Sequence, residues 1–351
     1  MMEPFVYIRA LRHAEHTVFC VQDEQKKYYN SQFGRMLPYS SGQQVKRSAM
    51  EGILTFLDVQ AAPTTFNYKL DKKENLGNAE PWSPCDPTYA DQLLGGWMRA
   101  TTGETALKRR SPLSISAMRP LHPLLAGTTK ENATFDRSNN PDLHPVNVRD
   151  AEGHILQPDE VDEYLQKNKR TLGRRNWIPD LVRAEGLFIY DIAIDKRTLF
   201  SVSTNQHEPE VNNETIEKLK NAGWVETQNV FGKCLIAPKE MRDKIIPAIA
   251  HGIINWRITS NQARTFSLME TLAIAVSNNA NTIAAAIRAK LKNDSDKPRA
   301  EPIIDDTAGA NIYVTLPCDG YIVDAAGTAN ALQQAESDII EQLQSFDYEH
   351  Q

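Results

Sequence analysis

The chain has 351 residues, 41% of them apolar and 24% charged, with a formal net charge of −6. That composition supports a sizeable core in one large domain or two ordinary ones, and it excludes a surface that is basic throughout, as a small histone-like binder would carry. Any nucleic-acid site must then be a local stripe. The apolar run from Phe5 to Leu11 is short and broken by Arg9, and Leu268 to Val276 is broken by Glu270. Neither serves as a signal peptide or a membrane span, so a cytoplasmic protein with no membrane partner is expected. Cys20, Cys85, Cys234 and Cys318 are scattered without metal or redox spacing and read as reduced structural thiols.

Phe5 to Leu11 and Thr17 to Val21 are rich in branched and aromatic residues and read as strands. A polar loop, Gln22 to Tyr39, leads into a predicted helix from Gly42 to about Asp58. Residues 60 to 110, punctuated by Pro63, Pro81, Pro84 and Pro87, read as an insertion with a short helix from Thr88 to about Arg99. Leu113 to Met118 and Gly186 to Ile194 read as strands. The polar connection between them, residues 120 to 185, is too long for a plain loop and reads as a protruding element. Thr198 to Val202 is expected to pair with the 186 to 194 strand as a hairpin. Helices are expected at Asn213 to Ala222, at Glu240 to Ile258 with a kink at Pro247, at Asn281 to Lys292, and at Asn330 to Leu343. Phe266 to Val276 and Ala310 to Leu316 complete the strands. The whole is α+β.

The densest local signal is Tyr39-Ser40-Ser41-Gly42-Gln43-Gln44-Val45-Lys46-Arg47-Ser48. Ser41 is a favourable N-cap, and Gln44 three residues later completes a capping-box pattern. Val45, Ala49, Ile53 and Phe56 then repeat at helical spacing, widened by Leu54 and Leu57, so one face packs on a core. Gln43, Lys46 and Arg47 share the helix start. Backbone amides there carry partial positive charge, and two neighbouring cations make a site for phosphate oxygens. A solvated amphipathic helix with its cations in water is the competing reading. A second basic stretch holds Lys167, Lys169, Arg170, Arg174 and Arg175 before Trp177. Cations that track phosphate beside a ring that stacks on bases make a single-strand surface; an exposed loop anchored by one tryptophan is the alternative.

The chain contains no P-loop, dinucleotide turn, H-E-x-x-H helix or nucleophile elbow. His13 and His16 are three apart around Glu15 but lie at a strand or turn, where that spacing guarantees no common face. Asp305-Asp306 and Asp23-Glu24 are acidic pairs that suit a metal-dependent nuclease and suit solvated turns equally well. Only Asp23 precedes the basic helix. Neither a metal nor a cofactor is expected.

Leu37-Pro38 followed by the Tyr39–Ser48 string, after an N-terminal strand, resembles the backbone subunit of type I CRISPR surveillance complexes of the Cascade kind, the Cas seven or DevR-like group. Arg109-Arg110-Ser111-Pro112-Leu113-Ser114-Ile115-Ser116 and Asn261-Gln262-Ala263-Arg264 extend the likeness across most of the chain. The resemblance implies an RRM-like (ferredoxin-like) palm with inserted helical fingers and a protruding thumb. Residues 1–59 and 111–120 would belong to the palm, 60–110 to the fingers-like insertion, 121–185 to the thumb-containing insertion, and 186–351 to the palm's remainder with the C-terminal helices. It also implies a non-catalytic subunit that polymerises along a guide crRNA and presents it for pairing with target DNA. Its partners would be copies of itself and the cap, large and guide-processing subunits. Ser41, Gly42, Gln43, Gln44, Lys46 and Arg47 would hold the guide backbone, with Arg9, Arg12, Arg109, Arg264 and the basic stretch Lys169, Arg170, Arg174, Arg175 and Trp177 as further RNA contacts. The chain has no RNP-type aromatic string, so grip on phosphate and ribose is expected rather than base stacking on the sheet. Two alternatives stand beside this one: a metal-dependent target-RNA ribonuclease of a type III-like complex using Asp23, and a metabolic α+β enzyme without a recognisable motif.

Overall fold

The structure, a computed structural model, describes residues 3–19, 25–100, 103, 105–258, 266–294 and 296–351, with the side chains of Trp177 and Ile178 left aside. Its frame is a seven-stranded sheet in the order Ala126–Asp136, Arg175–Asp195, Phe5–Thr17, Thr271–Ser277, Asn311–Val314, with Leu113–Ile115 and Arg119–Pro120 also paired to Arg175–Asp195. The first strand is central and pairs antiparallel on both sides, Ile8 facing Ile192 on one neighbour and Val276 on the other. Eight helices accompany the strands among the described residues: α1 Gly42–Leu57, α2 Ala90–Gly95, α3 Pro158–Asn168, α4 Lys196–Leu199, α5 Asn213–Asn221, α6 Lys239–Asn255, α7 Ala280–Ala286 and α8 Ala331–Gln344. None of them is long and apolar enough to cross a membrane.

Strand alternation decides the two faces of the sheet. Val6, Ile8 and Ala10 join Val45, Ala49 and Ile53 of α1, Ile249 and Ile253 of α6, and Ile339 of α8 in the larger core. Leu11, Leu187 and Ile189 join Ile283 and Ile287 on the opposite face. Helices α1 and α6 meet at a pair of glycines: a Cβ on Gly252 would stand 2.4 Å from Ile53 Cγ1 and 3.0 Å from the Ala49 carbonyl. Helix α6 runs through Pro247 without ending.

Thr129–Arg183 forms a compact unit of its own, and the rest of the described chain forms another. In the smaller unit α3 has a complete capping box, with the Gln157 amide donating to Glu160 at 2.7 Å, Pro158 in its first turn and left-handed Lys169 (φ 51°) at its end. No residue of α3 is buried.

Several expectations are corrected. The 22–39 loop contains a hairpin, Lys27–Asn30 with Arg35–Pro38, turned by Gly34 at φ 60°. Thr198 to Val202 is not a hairpin partner of the long strand: α4 comes first, and Ser201–Ser203 pairs with Gly232–Ile236. The single helix expected over 281–292 ends at Ala286. Ile287–Lys292 is a strand paired with Arg299–Ile304, because Ile-Arg-Ala-Lys-Leu-Lys also alternates with period two. The 120–185 connection, expected as a protruding element, holds two strand segments and α3.

Candidate nucleic-acid interface

The start of α1 is fixed before any charge is considered. Ser40 exchanges both backbone hydrogen bonds with Met118, each 3.0 Å, and its hydroxyl donates to the Phe19 carbonyl at 3.2 Å. Ser41 then stands extended at the N-cap, its Oγ accepting the Gln44 amide N–H at 3.3 Å. A Cβ on Gly42 would come within 2.9 Å of the Ile115 carbonyl oxygen, so glycine lets the helix end seat on the 115–117 backbone. The reciprocal half of the capping box is replaced: Gln44 Nε2 donates to Ser48 Oγ at 3.2 Å. Gln43 is exposed.

The two cations of α1 have different work. They are the fifth and sixth residues of the helix, a turn in from the end rather than in its first turn. Lys46 is partly buried; its Nζ donates to Ser111 Oγ at 2.5 Å and to the Gly95 carbonyl at 3.3 Å, beside the last residue of α2. Burial pushes its ammonium below the ordinary lysine range. Arg47 is open, with 68% of its side chain exposed, and its one partner among the described residues is Glu51 of the next turn at 3.0 Å, itself 60% exposed. An exposed pair of this kind contributes about 0.3–0.5 kcal/mol, so Arg47 can exchange it for a phosphate at little cost.

Of the sheet candidates, Arg9 and Arg12 part company by strand parity. Arg9 stands on the face of Tyr7 and Leu11. It grips Asp191 through Nε at 2.6 Å and a second nitrogen at 3.2 Å, and donates to the Ile287 carbonyl at 3.0 Å. Arg12 shares the parity of Val6, Ile8 and Ala10 and is wholly buried. Its guanidinium lies 4.1 Å over the Trp256 ring and donates to the carbonyls of Ile254 (2.6 Å) and Trp256 (3.0 Å), closing the end of α6. Its expected contact with RNA is corrected to a structural one, and desolvation lowers its pKa. Arg109 is corrected in the same way. Leu107 and Arg109 both face inward from a short strand, and the guanidinium donates to the carbonyls of Leu93, Thr198 and Ser201 and to Glu210. Arg110, the next residue, is the exposed one.

Two groups escaped the sequence reading. Arg119 donates to Asp191 Oδ2, the oxygen that also accepts from the second nitrogen of Arg9, at 3.0 Å with 40% of its side chain exposed, so Arg9, Asp191 and Arg119 form a triad with one net positive charge. Ser116 locks it, its hydroxyl accepting the Asp191 amide at 2.8 Å. The 27–38 hairpin leads directly into Ser40 and presents Lys27 and Tyr29, the latter 63% exposed. The signal for it was the Lys26-Lys27-Tyr28-Tyr29 string, where cations adjoin rings.

In the smaller unit, Arg175 pairs with Asp136 at 2.7 Å, and Arg137 donates to the carbonyls of Leu172 and Gly173. These contacts shape the 167–175 segment, while the side chains of Lys169, Arg170 and Arg174 are exposed with no acceptor among the described residues. The Trp177 side chain, Arg264 and Asp23 lie outside what is described.

His13 and Asp305 have local roles. His13 faces Glu270 at 3.3 Å and stacks on Tyr321 at 4.1 Å, and Asp305 caps a 3₁₀ turn through the Thr307 amide and pairs with Arg288. Among the described residues no three His, Cys, Asp or Glu side chains converge as metal ligands.

No protein-family model and no curated protein matches the chain. Among solved structures the chain is similar to a chain of a CRISPR RNA-guided surveillance complex, pre-nicking, with a TM-score of 0.45 and 10% identity over 98% of this chain and 90% of that one. It is also similar to a chain of a CRISPR RNA-guided surveillance complex with a TM-score of 0.38 and 12% identity, covering 97% and 84%.

Proposed function

We infer that the chain is a non-catalytic RNA-holding subunit, of the kind its Leu37–Ser48 string resembles, which lines up with further copies of itself along a guide RNA. The observation that carries this reading is the start of α1: a capped helix end seated on the 115–117 backbone, with Gln43 and Arg47 exposed. Helix amides, neutral amide side chains and a loosely held guanidinium suit phosphate and ribose without reading bases. On this reading the large unit supplies an RRM-like palm, residues 60–110 the fingers, and Thr129–Arg183 the thumb, which offers Lys169, Arg170 and Arg174 as RNA contacts of its own. Target DNA is then recognised by pairing with the guide, and the other subunits of such a complex are the protein partners.

Purification of the chain co-expressed with its neighbouring genes tests this. A large particle holding RNA of defined length, with sequence shared between preparations, is the expected result. A nucleic-acid-free monomer overturns it.

A further inference from the structure

The stretch 115–119 links the start of α1 to the other face of the sheet. Its residues 115–117 seat Gly42, and Met118 pairs with Ser40. Arg119 follows, opposite Ile189 of the long strand, on the sheet face away from α1. In the sheet, Leu113–Ile115 and Arg119–Pro120 pair only with that long strand and form a margin.

Arg119 is the last member of a series of contacts that fixes its direction. Arg9, with 13% of its side chain exposed, donates to the Ile287 carbonyl at 3.0 Å, at the end of α7. It holds both oxygens of Asp191, at 2.6 Å and 3.2 Å. Ser116 pins the Asp191 backbone from both sides, its amide donating to the carbonyl and its hydroxyl accepting the amide, each at 2.8 Å. Asp191 Oδ2 then accepts from one terminal nitrogen of Arg119 at 3.0 Å. The other N–H groups of that guanidinium have no acceptor among the described residues, and 40% of the side chain is exposed. Its charge reaches the Tyr28 phenol of the 27–38 hairpin, where it works against the upward push of burial. Arg9 already neutralises Asp191, so the charge of Arg119 is the excess one of the triad. A guanidinium fork held by a carboxylate also has little rotamer freedom left to lose on binding.

We propose that Arg119 is a phosphate fork for single-stranded RNA, with Asp191 and Arg9 as its positioning residues. This role rests on the RNA-holding reading and adds a contact that the start of α1 does not supply. A strand crossing the sheet margin meets the α1 amides and Gln43 on one side and Arg119 on the other. Two parallel N–H bonds to phosphate oxygens use no base edge, so the grip is independent of sequence.

Anisotropy of two unrelated labelled single-stranded RNAs over a salt series, with thermal melting of the same full-length chains, tests it. Arg119→Gln should weaken both RNAs about tenfold and lower the salt slope by about 0.7, with little change in melting. Asp191→Asn separates orientation from charge. It makes the chain more positive by one, so charge alone would tighten RNA, whereas loss of orientation should weaken it at least about threefold. Because Asp191→Asn also disturbs the half-buried Arg9, Arg119→Lys is the second positional test: it keeps the charge and the slope, loses the fork, and should bind at least about threefold more weakly. RNA binding equal to that of the unaltered chain in Arg119→Gln or Arg119→Lys, or equal or tighter in a folded Asp191→Asn, overturns the proposal. Normal RNA binding by Arg119→Gln together with loss of the large particle assigns Arg119 to a protein neighbour and overturns it as well. An unaltered chain that binds neither RNA refutes the RNA-holding reading itself, and this role with it.

Discussion

Lys46 and Arg47 are neighbours in sequence, one braced and one open in the structure, and one pair of substitutions separates the roles proposed for them. Lys46→Met keeps most of the stem but removes the ammonium, leaving the Gly95 carbonyl and Ser111 Oγ without that donor. An orphaned carbonyl of this kind costs about 1–3 kcal/mol. Release of a partly buried charge offsets part of it, so a net loss of about 1–2 kcal/mol in unfolding free energy is expected. Arg47→Ala removes only an exposed pair with Glu51, and stability should move by less than about 0.5 kcal/mol. RNA binding should reverse the order. Loss of one charged phosphate contact costs about 1–1.5 kcal/mol, roughly tenfold in affinity, irrespective of sequence. The salt slope for single strands should also fall by about 0.7 per contact removed. Urea unfolding of the free protein and anisotropy of labelled single-stranded RNA from low to moderate salt measure the two quantities. If Arg47→Ala binds RNA as the unaltered chain does, with the same slope, the site is misplaced. If Lys46→Met loses RNA but no stability, the brace is itself a contact.

Three further outcomes follow from the packing. Gly252→Ala forces a methyl into Ile53 and the Ala49 carbonyl and should cost about 1–3 kcal/mol by thermal melting, whereas Gly52→Ala, whose Cβ meets only the Gly252 backbone at 3.3 Å, should cost visibly less; equal effects would contradict the crossing. Arg12→Met should destabilise by about 2–5 kcal/mol in urea, since two carbonyls at the end of α6 lose their donor together with the cation–ring contact. Burial alone would raise the Asp86 carboxyl, but the Lys218 ammonium and the Thr88 amide and hydroxyl outweigh it and hold it below the usual range. Asp86 therefore contributes stability above the ordinary carboxylate pKa of about 3.9 that is lost as pH falls through its lower folded value, and Asp86→Asn should flatten the acid limb of the stability curve below about pH 4.

What was legible in the sequence was what local interactions decide. Ser41 as cap and the Val45, Ala49, Ile53 stripe are settled within a few residues, and α1 lies where they place it. The same holds for α5, capped by Asn212 and followed by Gly223, and for α8. The helix expected over 281–292 fails for a reason equally physical. Ile283, Ile287 and Leu291 fit a helical face, but Ile287, Ala289 and Leu291 fit a strand face too, and the partner that decides, Arg299–Ile304, lies beyond the window in which periodicity is read. The 27–38 hairpin was missed because its turn, Asn30 to Arg35, carries none of the two-residue turn dipeptides.

The candidate site was half legible for a further reason. Sequence shows where cations are and not which way they face. Arg9 and Arg12 are three residues apart on one strand, and three is odd, so the sheet puts one on each face. Arg109 and Arg110 part likewise, the first facing inward from its short strand and the second, just past the strand's end, exposed. Once Arg12 and Arg109 are spent on carbonyls and Arg9 on Asp191, the exposed positive charge of the larger unit's candidates comes, among the described residues, to Arg47, Arg110, the net charge of the Arg119 triad and Lys27 of the hairpin. On the proposed reading, a chain of net charge −6 that holds RNA through so few cations would draw much of its hold from backbone amides, Gln43 and the continuity of the strand across neighbouring copies. Its salt dependence per subunit should therefore be shallow, with affinity arising from repetition rather than from any one site.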